Sequence, residues 1–475
     1  MTCSEPSVFG RLSAFQKLMY QWSELHPYNA VHTYKIAGPV DLGRLQESIL
    51  ETYAFNNLGF AEVDGDGRTY RFQPGATPTI EVLEGGQEPT ACLNAHVTRE
   101  LNRPFERPRC QPMRFAVIQA GPRVHYLATT YDHWVADSVG ARLILRHILG
   151  RYLDLKIPEN LQPLDLYPGT YRQVFSRHLG PAHLAGAVLR SVSRWLGNRS
   201  AALPAYSSVS QMAVGYEVHR TAPGTPARLL EFAHEHGATV HDVILAALAR
   251  ALAPHLPRRA SRGGRGKLSL GTIVDTRPDS EQDLAQSLGN YLAYFLVRCR
   301  PGKYLGLGEL SERIAGVTRP IKAKRRFLDS AVSMRFMSAL WPLVKDSTKP
   351  HFARKALPLT AGVSNLVLRD AWLSRQGSSR ILEYMRGVST GPIMPLVLSP
   401  TTFDGQLNVG VTYRVTAFTR GKIDGILSSF LEQIENPRGT FHSRSPVARG
   451  SFPTSESRQG IPACTPMGAD VRQSR

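Results

Sequence analysis

Tyr131-Asp132-His133-Trp134-Val135-Ala136-Asp137-Ser138 follows a short alternation of apolar residues, Val124, Tyr126 and Ala128, and precedes an apolar-periodic segment. A period of two marks a strand and a period near 3.6 marks a helix. The octet therefore puts His133 where a strand ends and Asp137 where a helix begins. Imidazole titrates near neutral pH and a carboxylate four residues on can fix the local geometry, so this is a seat for a general base. His-x-x-x-Asp at this spacing also arises in capping and core roles. Spacing alone leaves both readings open.

Working outward, the 475 residues exceed one typical core and suit two domains. No apolar run reaches the 18 or so residues of a membrane span, and Met1 to Trp22 lacks the uninterrupted apolar core of a secretory signal. The expectation is a cytoplasmic monomer. Cys3, Cys92, Cys110, Cys299 and Cys464 are scattered without a Cys-x-x-Cys pair or neighbouring His ligands. They read as reduced thiols, with no metal site. The Gly263-Gly264-Arg265-Gly266 cluster lacks the strand and the Lys-Ser/Thr of a phosphate-binding loop and reads as a surface loop.

Further sequence matches carry a family resemblance. Leu12-Ser13-Ala14-Phe15-Gln16, then Gly38-Pro39-Val40-Asp41 and Leu45, and Asn102-Arg103-Pro104-Phe105 with Pro112 and Arg114, stand in that order ahead of the His133 octet. Gly237-Ala238-Thr239-Val240-His241-Asp242 starts a helix, with Thr239 as N-cap and Asp242 at the third helical position. Val274-Asp275-Thr276-Arg277-Pro278, Gly289-Asn290, Val363-Ser364-Asn365 and Phe403-Asp404-Gly405-Gln406-Leu407 follow. Their order over residues 10 to 435 resembles the condensation-domain superfamily, whose members include peptide-synthetase condensation domains, wax ester synthases, polyketide-associated acyltransferases and chloramphenicol acetyltransferase. The family signature is His-His-x-x-x-Asp-Gly. His133 and Asp137 match its second His and its Asp, whereas Asp132 replaces the first His and Ser138 the Gly.

The resemblance implies an α/β fold: two chloramphenicol acetyltransferase-like subdomains, each a mixed sheet with helices, in a V with an active-site tunnel at their interface. It implies an N-terminal subdomain over 1–165 carrying the motif, a basic connecting segment over 166–206, and a C-terminal subdomain over 207–436. From 437 to 475 the composition shifts to Ser, Pro, Gly and Arg without periodicity, which reads as a disordered basic tail. The implied chemistry is direct acyl transfer, ester-forming ahead of amide-forming, with His133 as the catalytic base. Asp137 would pair with Arg277 and support the catalytic loop. Ser364 or Asn365 would face the developing oxyanion, and Ser138 would narrow the tunnel or contact substrate. No cofactor is bound permanently. The donor would be acyl-CoA or acyl-phosphopantetheine on an acidic carrier protein, and the acceptor a small molecule or lipid, in natural-product or lipid biosynthesis. With no adenylation, carrier or thioesterase pattern in the sequence, a free-standing enzyme would take its donor in trans. The two departures from the signature keep open a second reading, a catalytically degenerate relative that binds carrier protein or acyl ligand.

The formal charge of +19 favours acidic partners or anionic surfaces. The lack of any helix-turn-helix, zinc-finger or aromatic RNP pattern argues against nucleic acid as that partner. Tyr167 to Tyr216 contains no acidic residue. Within it Leu184, Val188, Leu189, Val192, Trp195 and Leu196 recur at helical spacing with Arg190 and Arg194 off the stripe. That pattern predicts either a basic helix at an anionic membrane or carrier protein, or a bridging helix packed between domains. Lys322-Ala323-Lys324-Arg325-Arg326, leading into Phe327, Met334, Phe336, Met337, Leu340 and Trp341, reads as a solvated helix face.

Overall fold

The computed structural model describes residues 8–439 apart from 66, 156–161, 167–173, 176–179, 258–266, 302–304 and 369–379. The glycine cluster at 263–266 and nearly all of the 437–475 tail lie outside these residues. Two sheet-centred halves build the molecule, the α/β pair of chloramphenicol acetyltransferase-like subdomains expected from the motifs. The N-terminal sheet has the strand order Arg380–Val388, Asn29–Ala37, Val124–Asp132, Met113–Gly121, Ile80–Glu84. The C-terminal sheet runs Val214–Arg220, Gln406–Arg414, Leu396–Phe403, Ala361–Val363, Leu268–Asp275, Leu292–Cys299, with Leu366–Val367 paired to Leu396–Phe403. Both sheets are mixed: Ile80–Glu84 runs parallel to Met113–Gly121, and Ala361–Val363 runs parallel to both its neighbours.

Strand Val124–Asp132 lies inside its sheet with both faces covered, and all of its residues after Val124 are buried. One face meets the helices Leu42–Phe55 and Ser138–Tyr152 through Leu45, Ile49, Ile144 and Ile148. The other meets helix Pro89–Asn102 through Leu93 and Val97, joined there by Val214 and Tyr216 of the C-terminal half. The C-terminal core is organised by helix Val240–Leu252, apolar on nearly every side and therefore buried along its length. Thr239 and Asp242 form the predicted capping box at its start, and Thr318 Oγ1 donates to Asp242 at 2.7 Å.

Strand Arg380–Val388 belongs by sequence to the C-terminal half, yet it pairs antiparallel with Asn29–Ala37 at the edge of the N-terminal sheet. A linear division at about residues 165 and 206 does not anticipate this crossover. It carries Tyr384 and Arg386 into the contact between the halves.

The connecting helix spans Pro181–Asn198. Its apolar stripe faces outward, with Leu189 73% and Leu196 54% exposed. Arg190 Nε and Nη2 instead donate to Asp329 at 2.8 and 2.9 Å, Arg194 Nη2 reaches the same carboxylate at 3.5 Å, and His183 Nε2 lies 3.3 Å away. Asp329 is 1% exposed, so these charges are turned inward because a buried acid needs a partner more than an aliphatic face needs cover. In the second basic stretch, Phe327, Met334 and Trp341 are buried and Phe336 is exposed, so that segment is wall as much as surface. Cys110 and Cys299 are free thiols, both pushed up to about 12 by burial. Among the described residues no helix is long and apolar enough to cross a membrane.

Candidate active site

The strand Val124–Asp132 delivers His133 and the turn that follows ends at Asp137, which caps helix Ser138–Tyr152. Three residues of that turn are tied to distant parts of the chain. The His133 backbone N–H donates to Tyr28 O at 2.9 Å, and its carbonyl accepts from Asn290 Nδ2 at 3.0 Å. Gln16 Nε2 donates to Trp134 O at 2.9 Å. Gln16 is itself fixed by a capping box with Ser13 at the start of helix Ala14–Trp22. The opening Ser13-Ala14-Phe15-Gln16 run thus acts directly on the signature turn, and so does Gly289-Asn290, whose Gly289 carbonyl accepts from the Asp137 N–H at 2.9 Å.

The Asp137 side chain is fully buried and does not face substrate space. Its Oδ1 accepts from Gly140 N at 2.8 Å, its Oδ2 from Tyr291 N at 2.9 Å, and Arg277 closes a two-point clamp with Nη1 at 2.7 Å and Nη2 at 3.0 Å. Burial alone would push this carboxyl up; Arg277 and the two backbone donors outweigh it and hold Asp137 below the usual carboxylate range. Arg277 also stacks over Tyr291 at 4.6 Å and donates to Ser287 O at 3.3 Å. The structure therefore brings Asp137 and Arg277 together across 140 residues of sequence.

His133 lines a cavity between the two halves. Tyr28 and Tyr131 set their rings edge-on to the imidazole at 5.7 and 5.8 Å. Its Nδ1 is buried, which leaves Nε2 as the nitrogen able to meet a substrate. Burial lowers its pKa below the usual imidazole value and Arg386 adds to the lowering, while the His133 and Ala136 carbonyls and Asp137 oppose it. The imidazole is thus neutral at physiological pH, the state a base requires.

Ser138, Ser364 and Asn365 line the same cavity, as does Asp275, whose Oδ1 accepts from Arg277 Nη1 at 3.3 Å. Asp132, in the position of the family's first His, is not among the lining residues. Burial pushes its carboxyl up to about 6 against the opposing pull of Arg107, whose Nη2 donates to Oδ2 at 3.3 Å. Sequence reasoning missed Arg386, which also lines the cavity. Its strand also carries Arg380 and Glu383, so charge alone does not single it out, and nothing in the sequence says where that strand pairs.

The condensation-domain family model matches residues 9–324. No curated protein matches the chain. Among solved structures, it is similar to the condensation domain of the monacolin K polyketide synthase MokA, with TM-score 0.63 and 14% identity over 90% of this chain and 97% of that one. The first condensation domain of the calcium-dependent antibiotic synthetase, in complex with a substrate analogue, gives TM-score 0.65 and 17% identity over 91% and 98%. The starter condensation domain of rhizomide synthetase, a mutant in complex with C8-CoA and Leu-SNAC, gives 0.61 and 16% over 90% and 94%. Likeness at such identities speaks for the fold, and the family model speaks for descent. The chain belongs to the condensation-domain family.

Proposed function

We propose that this protein is an acyltransferase that moves an acyl group from a coenzyme A or carrier-protein thioester to a hydroxyl, with an amine as the second choice of acceptor. The observation that carries this reading is His133, neutral and held through its backbone by Tyr28 and Asn290, with Nε2 left free at a cavity between the two halves. In the proposed reaction, Nε2 takes the acceptor's proton as its oxygen attacks the thioester carbonyl. The new C–O bond forms, the C–S bond breaks, and the proton passes to the departing thiolate. Asp137 and Arg277 act as positioning residues, and Ser364 or Asn365 faces the oxyanion that develops on the carbonyl, where a preorganised dipole is most useful. No acyl-enzyme is required.

The test is a panel of acyl-CoA and acyl-N-acetylcysteamine thioesters against small alcohols and amines, read as thiol release and product mass. Wild-type turnover that is lost in His133→Asn supports the reading. Turnover in no combination, or turnover that the variant retains in full, overturns it.

A further inference from the structure

Arg386 is 2% exposed, and no carboxylate pairs with it among the described residues. Buried charges in proteins are ordinarily paired, because an uncompensated one is costly. Its hydrogen-bond acceptors are all neutral. Nε donates to Thr401 Oγ1 at 3.0 Å, and Nη2 to Ser364 O at 2.5 Å and Pro400 O at 3.3 Å. Nη1 donates to the Ser138 and Ser364 hydroxyls, each at 3.3 Å. These last two are the long contacts, and they involve groups that can rotate and themselves donate. Arg386, Ser138 and Ser364 all line the cavity that His133 enters. The one carboxylate lining that cavity, Asp275, is engaged by Arg277. Among the described residues, therefore, the Arg386 guanidinium meets the cavity with no carboxylate bonded to it.

We infer that Arg386, with the Ser138 and Ser364 hydroxyls, binds a carboxylate carried by one of the substrates, an inference that rests on the acyl-transfer reading of the same cavity. Nη1 faces both hydroxyls, and a planar carboxylate can take the guanidinium N–H on one oxygen and a serine O–H on the other. Ser138, where the family signature has Gly, then acquires a purpose: it adds a hydroxyl that a glycine could not supply. The carboxylate can belong to the acyl donor or to the acceptor, and its recognition chemistry is the same.

The experiment is isothermal titration of the full-length protein with octanoate and with octanamide, probes of equal length that differ in charge. The expected result is that octanoate binds on the order of tenfold more tightly, the size of a charge-assisted hydrogen bond in a buried site. In Arg386→Gln that ratio collapses to about one, and in Ser138→Ala it falls by several-fold, a variant that keeps the guanidinium in case Arg386→Gln fails to fold. Equal binding of the two probes by the wild type overturns the inference, as does a preference that survives in a folded Arg386→Gln. Two kinetic arms place the carboxylate: succinyl-CoA against butyryl-CoA for the donor, and a hydroxy acid against its methyl ester for the acceptor. Absence of turnover with every thioester would overturn the acyl-transfer reading while the binding ratio still decides this one.

Discussion

A buried imidazole that accepts a proton has to be neutral before it meets its substrate. Burial and the nearby Arg386 keep His133 so, lowering its pKa below 6.5. The expected kcat/KM profile is flat through neutral pH and falls on the acid side only below 6.5; a limb centred at or above that value counts against His133 as the base. His133→Asn, closer in volume than alanine, should cut transfer by about 10²- to 10⁴-fold with a cooperative melt retained. Asp132 gives a prediction of opposite character, because its role is in stability. Its carboxyl is raised from 3.8 to about 6 in the fold, so the folded state holds the proton more tightly than the unfolded chain does. That contribution is complete below 3.8 and is lost as pH rises through 6, up to about 3 kcal/mol from a shift of this size. Asp132→Asn locks in the neutral form. Urea unfolding at pH 4.5 and pH 8 should show the variant gaining on wild type at the higher pH. Parallel pH dependences for the two proteins would rule this out.

At the scale of elements, one buried carboxylate joins a helix start, a turn and an arginine from the other half: Asp137 caps Ser138–Tyr152, meets the Tyr291 amide and is clamped by Arg277. Removing one member of a buried pair strands its partner, so Asp137→Ala should cost about 3–5 kcal/mol in denaturant unfolding and lower activity with it. Activity lost at unchanged stability would assign Asp137 a direct part in the chemistry. Much of this arrangement was legible beforehand, because capping residues and a strand followed by a helix leave local marks in sequence. The connecting helix was not. Its 3.6-residue period marks a helix but does not say which face goes inward, and what decides that is Asp329, 139 residues beyond Arg190. Asp329→Ala is accordingly expected to loosen Pro181–Asn198 against its support, seen as faster amide exchange in that helix than elsewhere. Uniform exchange across the molecule would contradict it.

The whole molecule depends on a strand that leaves one half to complete the other. Order along the chain assigns Arg380–Val388 to the C-terminal half, and no local pattern states that it pairs with Asn29–Ala37; hence Arg386 was absent from the candidate residues while His133, Asp137, Arg277, Ser364 and Asn365 were present. Side chains hold this strand from both sides. On the N-terminal side His32, fully buried, lies 3.1 Å from the Tyr131 hydroxyl through Nε2 and 3.0 Å from the Tyr384 hydroxyl through Nδ1. On the C-terminal side Ser399 Oγ and Tyr216 OH donate to Arg386 O at 2.8 and 3.2 Å, and Asn408 Nδ2 to Tyr384 O at 3.3 Å. Gly410 lies directly beneath: a Cβ there would come 2.1 Å from Arg386 O and 2.5 Å from Ser399 Oγ. Neither atom can yield without moving the strand or breaking the bond between them. Gly410→Ala should therefore cost about 1–3 kcal/mol, as overpacking does, and should reduce transfer by displacing Arg386 relative to His133. Gly421→Ala is the control, in helix Arg420–Glu435 with nothing near its Cβ, and should be neutral or stabilising by about 0.5–1 kcal/mol. If Gly410→Ala unfolds at the same denaturant concentration as Gly421→Ala and turns over equally well, the crossover strand is free to shift and does not set the position of Arg386 in the cavity.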